Sequence, residues 1–531
     1  MAVTPDSEIR LLKCNLNLDN NNQINFATTT AQYNYFNGLT KKTQTACTYQ
    51  RKDNYIRWPE HIDSIIEYNY VMYKNTHYDS KWFYAYVTRM EYENDNCTRI
   101  YIKTDVWQTW QFSITFMQSF IEREHVNTDT IGSHTVPENL ETGDYIINGT
   151  DSILEETTNY TIIGLSSVRN TGLTYSDNGV YNNVLSGCYL FTFSTSSDAK
   201  TFIKILDQKG VGESVAFLYM IPATLYNKLS KGGPYTYTEG DYSCSYYTVQ
   251  STTATMLVNN KTVSINSTIN GYTPKNNKLF TYPYNYLEID NNNGNSAIYK
   301  YELFVNNAPA FQVAGALTPG CSIMCWPINY NKITDTHALT SGMLFSYNDG
   351  IPAGKYPIGA WINDTYTNWL TQSSVNRITS EVGSSLNAIG SAASGNPMGI
   401  INGLMGIVNN IESVYTHSFI PDVSKGNVNS GDVTFAMGQT LFAIKKKSIK
   451  SEYAQIIDKF WSMYGYKVNV VKTPNITGRS NWNYIKMVNP NIEGYIPQED
   501  LQEIKDLFSN GITIWHTTTH FLDYSQTNSI I

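Results

Sequence analysis

Charge is scarce in this chain of 531 residues: Asp, Glu, Lys and Arg make up 15% of it, against roughly 25% in an ordinary globular protein. The balance is 37 basic against 45 acidic residues, a net charge of −8, so there is no basic footprint to hold nucleic acid. Cysteine is equally thin. The seven (Cys14, Cys47, Cys97, Cys188, Cys244, Cys321 and Cys325) are odd in number and scattered, with no CxxC pair. That predicts free, mostly buried thiols in place of a disulfide framework or a zinc site. Neither GxxxxGK[ST] nor GxGxxG occurs, which removes the usual phosphate cradles. The first fourteen residues carry Asp6, Glu8 and Arg10 without an apolar run, so no signal peptide is expected.

Amides and hydroxyls replace the missing charge. Asn occurs 56 times, more often than Lys and Arg combined, and Tyr outnumbers Phe 41 to 20. Tyr, Thr and Val suit half-buried strands, and Asn and Gly suit the turns between them. The expected protein is large and β-rich, with about three or four domains on length alone.

Period-2 alternation over residues 82–87 and 100–102, around the turn Asn94-Asp95-Asn96, predicts a hairpin. Residues 1–130 read as consecutive strands, and 131–275 continue as short strands, for example 189–193. Asp290 to Gly294 reads as a turn, with strands at 297–305 and 310–313. The C-terminal hundred residues change character. Tyr453, Ile456, Ile457, Phe460, Trp461 and Tyr464 fall at helical spacing before Gly465, and a strand follows over 467–471. Leu501, Ile504, Leu507 and Phe508 repeat the design, with Asn510-Gly511 stopping the helix before a strand at 512–515. The fold class is therefore mainly β with an α+β C-terminal part.

One segment fits neither class. Residues 382–411 contain no charge, six glycines and Pro397, and are bordered by Glu381 and Glu412. A membrane-spanning helix needs about 20 predominantly apolar residues, and Asn387, Ser391, Asn396, Pro397 and Asn402 interrupt this one. Ser391, Gly395, Gly399 and Gly403 recur every fourth residue, the spacing that permits close helix approach in lipid. A buried glycine-rich helical hairpin or a flexible linker fits these residues as well as a membrane-active segment does.

Catalytic patterns are sparse. His516 and His520 have the i,i+4 spacing of a metal pair but lack the Glu of HExxH and follow a strand. Glu122 and Glu124 flank Arg123 at a strand end, where paired acids are usually a solvated edge and only rarely a glycosidase pair. Lys445, Lys446, Lys447 and Lys450 read as a solvated turn before a helix starting at 451. No catalytic residue, metal or cofactor is assigned.

Residues 81–87 (KWFYAYV), 105–110 (DVWQTW) and 119–126 (SFIEREHV) resemble the N-terminal signature of the distal tail knob proteins of small podoviruses of the phi29 group. Residues 464–469 (YGYKVN), 500–516 (DLQEIKDLFSNGITIWH) and 278–284 (KLFTYPY) resemble the same family, in family order. The resemblance implies a multi-domain chain of β-sandwich or barrel modules like those of tail tubes, plus a long hydrophobic loop. It implies a tube-wall domain from 1–130, about 276–294 and 436–531; an inserted β domain at 131–275; a further β tube domain at 295–375; and a loop region at 376–435. It implies a homo-hexameric tube at the tail tip of the virion, partnered by upper tail tube and connector proteins and plugged by loops that insert into the host membrane. Genomic DNA would pass through without specific binding. In this sequence the segment 382–411 stands where the family places its loop. Leu386, Ile389, Met398, Ile400, Ile401, Leu404, Met405, Ile407 and Val408 are then the inserting side chains, and Gly395, Gly399 and Gly403 permit close packing. Two rival classes are a tail-borne cell-wall glycan hydrolase, which needs a cleft with convergent carboxylates, and a receptor-binding adhesin, which leaves 382–411 unexplained.

Overall fold

The structure is a computed structural model that describes residues 7–359 and 442–531, apart from 17, 19–20, 46, 48, 51–53, 76–80, 154–157, 177–179, 182–183, 186–187, 228, 251–256, 292–293, 316–321, 329, 331–350 and 356–357. It divides into two compact units. The first comprises 1–142, 274–279 and 451–531; the second comprises 143–273 and 280–450.

The first unit contains two main sheets. Seven antiparallel strands lie in the order Lys41–Thr45, Ser7–Leu12, Tyr70–Asn75, Phe83–Asn94, Cys97–Thr104, Tyr55–Trp58 and Tyr49–Gln50. The long hairpin Phe83–Asn94 and Cys97–Thr104 is the one that the alternation predicts. Its inward side chains Ala85, Ile100 and Ile102 join Ile9, Leu11, Val71 and Trp58 in a buried cluster. Five strands form the second sheet, in the order Asn22–Ile24, Ile512–Trp515, Trp482–Val488, Ser119–Glu124 and Tyr466–Lys472. The first two pair in parallel and the rest antiparallel.

Both C-terminal helices form where the apolar stripes put them. Ser451–Tyr464 buries Ala454, Ile457 and Trp461, and Gly465 stops it at φ +65°, a conformation that glycine adopts without strain. Gln498–Asn510 starts with Glu499 and Asp500 in its first turn and ends at Gly511, which suits the helix dipole. It packs Leu501, Ile504 and Phe508 against Val106, Trp107 and Ile121, and the Trp110 indole donates to Asp500 Oδ2 at 2.8 Å.

Residues 1–130 are not strands throughout. Thr29–Gly38 is a helix, capped by the Thr28 hydroxyl that accepts from Ala31 N. Val106–Trp110 is a short helix capped by Asp105. The Asp105 carboxylate is fully buried and accepts from Tyr70 Oη at 2.9 Å and Gln108 N at 3.0 Å.

The second unit holds three larger sheets around one large core, and a short ribbon of Val180–Tyr181 with Val184–Leu185. Tyr145–Ile153, Phe442–Ile449, Asn285–Asp290 and Ser296–Tyr299 form a four-stranded sheet. Lys231–Glu239, Tyr242–Val249, Tyr189–Thr192, Asn159–Leu165, Val215–Pro222 and Ile358–Gly359 form a six-stranded one. Leu257–Thr262, Ala310–Gly315, Ser322–Ile328 and Ile351–Lys355 complete the set. The expectation of strands alone over 131–275 fails at Ser196–Gln208, a helix that buries Ala199, Phe202, Ile203, Ile205 and Leu206. The expected strand at 297–305 ends at Tyr299 and gives way to 3-10 turns at Tyr301–Leu303 and Val305–Asn307. Asn306 and Asn307 take positive φ there, which Asn tolerates better than most residues. Among the described cysteines none forms a disulfide: Cys14, Cys47, Cys244 and Cys325 are buried, and Cys97 and Cys188 are half-buried.

Candidate functional site

The lysine run is not a solvated turn. Residues 442–449 are a strand between Tyr145–Ile153 and Asn285–Asp290. Lys445 meets Asp290 at 2.8 Å, Lys446 meets Asp151 at 3.0 Å and Lys447 meets Glu288 at 2.5 Å, while Lys450 reaches Asp144 at 3.6 Å. Alternation sends neighbouring lysines to opposite faces, and each face supplies an acid from a strand far away in sequence. The cluster is a cross-strand ion-pair ladder and offers no unpaired basic patch.

Glu122 and Glu124 are likewise engaged. Glu122 pairs with Lys486 at 2.9 Å. Glu124 is fully buried, pairs with Lys472 and accepts from Asn475 N at 3.2 Å. The expected solvated edge is thus a buried acid held by its own cation. His516 and His520 form no metal pair. His516 Nε2 bonds to Asn483 Oδ1 at 2.9 Å, and His520 lies in a separate 3-10 turn. No group of three metal-ligating side chains converges among the described residues.

The return of the chain at 274–279 is fastened by acids. Asp458 accepts from Lys275 N at 2.8 Å and from Asn276 N at 3.0 Å, and Asp129 accepts from Asn277 N at 2.9 Å. Beside them Glu138, almost fully buried, pairs with Arg123 and with Lys278, the latter at 2.5 Å. Two cations hold the Glu138 carboxyl below its usual range against the desolvation that raises it, and burial lowers the Lys278 amine. Lys278 comes from 140 residues beyond Glu138, and Arg123 from 15 residues before it at no regular spacing, which explains why no local pattern announces the array.

His125 sits next to this array with no exposure to spare. Its Nδ1 accepts from Tyr484 N at 2.8 Å and its Nε2 donates to Ser462 O at 3.1 Å, so the ring is neutral. Burial and the neighbouring Arg479 push it down to about 3. A depressed histidine gives stability that is complete above its unfolded value near 6.5 and is lost as the pH falls toward the folded one. By pH 5 the loss is about 2 kcal/mol from this ring alone. Urea unfolding at pH 7 and pH 5 should therefore show a smaller acid loss in His125→Gln than in the parent, because the amide keeps both hydrogen bonds and does not titrate. Equal losses would remove His125 as the cause.

The outer end of the five-stranded sheet carries a different feature. Phe120 lies opposite Val471 on one side and Val488 on the other, and all three are exposed. The adjoining two-stranded ribbon, Ile114–Phe116 with Ile492–Gly494, adds exposed Phe112, Met117 and Tyr495. These six are drawn from only nineteen large exposed apolar side chains among the described residues, so the clustering is marked. Strand Tyr466–Lys472 is also the sheet's edge, with backbone groups open to a further strand.

A sequence model of the family described as the C-terminal domain of the Bacillus phage phi29 tail knob protein gp9 matches residues 246–529, more than half of the chain. The chain belongs to the phi29 tail knob family. A second model, the caudoviral major tail protein N-terminus, matches residues 5–115. Tail knob protein gp9 of Bacillus phage PZA is 27% identical over 93% of this chain and 93% of its own length. Its counterpart in Bacillus phage phi29 is 25% identical over 95% of each. The tail knob protein gp12 of bacteriophage C1 shares the fold, with a TM-score of 0.67 at 14% identity, over 99% of this chain and 100% of that one. This tail knob chain is a structural component of a phage tail. All twelve residues expected to insert or to pack closely in the membrane, from Leu386 to Val408, lie outside the described residues.

Proposed function

We propose that six copies of the chain close into a tube at the distal tip of the tail, joined above to tail tube and connector proteins. The wall is formed by the residues expected for it from sequence, 1–130, about 276–294 and 436–531, of which 280–294 and 436–450 belong to the second compact unit. The observation that carries this reading is the family match across both halves of the chain, with whole-length relatives that are tail knob proteins. The apolar cluster around Phe120 beside an open strand edge supports it, because patches of that kind on a soluble protein mark contact surfaces. A repeated head-to-tail contact closes into a ring when its rotation permits. Six copies at −8 each carry −48, and a wall without basic excess lets DNA slide past without adhering. Negative-stain images of the purified protein should show six-fold rings with a central channel. Monomers or three-fold spikes would sink the ring.

In the same reading, segment 382–411 plugs the tube and then enters the host membrane. In sequence it falls between strands Ile358–Gly359 and Phe442–Ile449. Leu386, Ile389, Met398, Ile400, Ile401, Leu404, Met405, Ile407 and Val408 supply apolar surface, and Gly395, Gly399 and Gly403 let neighbouring segments approach. Lack of charge avoids a cost of about 2.5–3.5 kcal/mol for each Lys, Arg or Asp at a bilayer centre. Dye release from liposomes is expected from the intact protein and not from a chain lacking 382–411. Ile401→Lys should abolish release while rings persist. Equal release from the intact and deleted chains would refute the membrane role and leave the ring untouched.

A further inference from the structure

The first unit carries a half-open cleft of about 680 Å³ that the tail tube role does not use. It is bounded by His125, Asp129, Lys275, Arg479, Trp482 and Tyr524, and roofed by residues 526–530. The roof is laced to the floor: Asn528 Oδ1 accepts from Asn481 N at 3.0 Å and Trp482 N at 3.1 Å, and Asn528 Nδ2 donates to Trp482 O at 2.8 Å. Arg479 is fixed by its own backbone, whose N–H donates to Asn483 Oδ1 at 3.1 Å.

Its side chain is the anomaly. A guanidinium has five N–H donors, yet Arg479 gives one long hydrogen bond, from Nη1 to Asn528 O at 3.3 Å. Its Nε is buried and reaches no acceptor, and the side chain forms no ion pair among the described residues. Asp129 is near enough to favour its charge, but that carboxylate is turned to other donors, Tyr466 Oη at 2.8 Å and Asn277 N at 2.9 Å. His125 contributes no charge, since both ring nitrogens are occupied. Lys275 stands at the rim, exposed, with no acid partner among the described residues. Two cations thus face one satisfied carboxylate across a cavity lined by Trp482 and Tyr524. Arg479 is half-buried, and a guanidinium fork presented into a cleft suits an oxyanion, which accepts two parallel hydrogen bonds from it.

We propose that this cavity binds a small organic oxyanion of the phosphate-ester type, held by the Arg479 guanidinium, with Lys275 at the entrance. The volume lies in the range of small-molecule sites, about 300–1,000 Å³, and exceeds what an inorganic ion fills. The organic body would lie against Tyr524, Gln526 and Thr527 on the open side of the cleft, a ring, an amide and a hydroxyl that suit a hydroxylated carbon skeleton. The charge selects the ligand, and these side chains give it a preferred size.

The test uses the full-length protein and three probes: glycerol 3-phosphate, inorganic phosphate and uncharged glycerol. Calorimetric titration is expected to show saturable binding of glycerol 3-phosphate with Kd in the millimolar range or tighter. Inorganic phosphate should bind several-fold more weakly and glycerol not at all. Arg479→Met should weaken glycerol 3-phosphate at least tenfold, as expected for a lost charge-assisted pair. Lys275→Glu, an exposed change that leaves the fold alone, should weaken it several-fold and more at low salt. This second variant decides the matter should Arg479→Met fail to fold. Absence of saturable binding to the parent protein, or unchanged affinity in Lys275→Glu, would overturn the proposal and leave Arg479 served by water.

Discussion

Glu138→Ala is expected to destabilise the first unit by about 3–5 kcal/mol, the usual cost of breaking a buried ion array by removing one partner. The carboxylate holds Arg123 and Lys278 at once and also accepts from Lys467 N at 3.3 Å. Without it, Lys278 loses its acid and keeps the Val136 carbonyl at 2.9 Å and the nearby rings of Trp461 and Tyr466. The buried Lys278 amine and the half-buried Arg123 guanidinium would then lose the carboxylate they share. The measurement is the urea midpoint of the unit's unfolding at unchanged slope. Glu138→Leu combined with Lys278→Met should cost less than Glu138→Ala alone, because well-packed apolar replacements of a buried pair are often close to neutral. A loss below 1 kcal/mol in the single variant would mean that the array contributes little.

Gly465→Ala should be among the most damaging glycine-to-alanine changes at the described residues. The residue has φ +65°, and a Cβ built on it collides with the main-chain carbonyl of Glu124 and the amide of His125. The left-handed conformation costs a non-glycine residue about 1–2 kcal/mol, and displacing packed backbone adds about 1–3 kcal/mol. The Gly465 carbonyl also accepts from Arg123 Nη1 at 2.6 Å, so a shift here disturbs the Glu138 array as well. Gly38→Ala is the control. It lies in the same unit, meets nothing within 4 Å, and should be neutral or slightly stabilising. Thermal melts of the two variants should separate widely; similar melting points would show that the backbone at 465 yields easily.

The legible parts of this fold are those specified locally. The stripes ending at Gly465 and Gly511 gave both C-terminal helices their limits, since a 3.6-residue period and a glycine stop need no distant partner. The period-2 alternation over 82–87 and 100–102, around the turn at 94–96, did the same for the long hairpin. Thr29–Gly38 escaped because its sequence, rich in Thr, Tyr, Asn and Gln, has almost no apolar stripe and buries only Gln32 and Phe36. Ser196–Gln208 escaped despite a readable signal: Thr195 as cap, Asp198 in the first turn, then Ala199, Phe202, Ile203 and Leu206 at helical spacing. Adjacent lysines at 445–447 look solvated in one dimension, and only the two flanking strands reveal the acids that face them. The Arg479 cavity has no sequence signature, because its lining is gathered from five separate stretches of chain.

The parallel pairing of Asn22 with Thr513 has a consequence for how the protein is made. One of the earliest strands off the ribosome cannot find its neighbour until about 490 residues more have been translated, roughly 25–100 s at ordinary elongation rates. During that interval Trp107 and Ile121 lack the C-terminal residues Ile485, Ile504, Phe508 and Ile512 that share their core. A prematurely stopped polypeptide therefore remains visibly unfinished to cellular proteases. Vectorial synthesis becomes an inspection step, because the last strand to emerge seals the first.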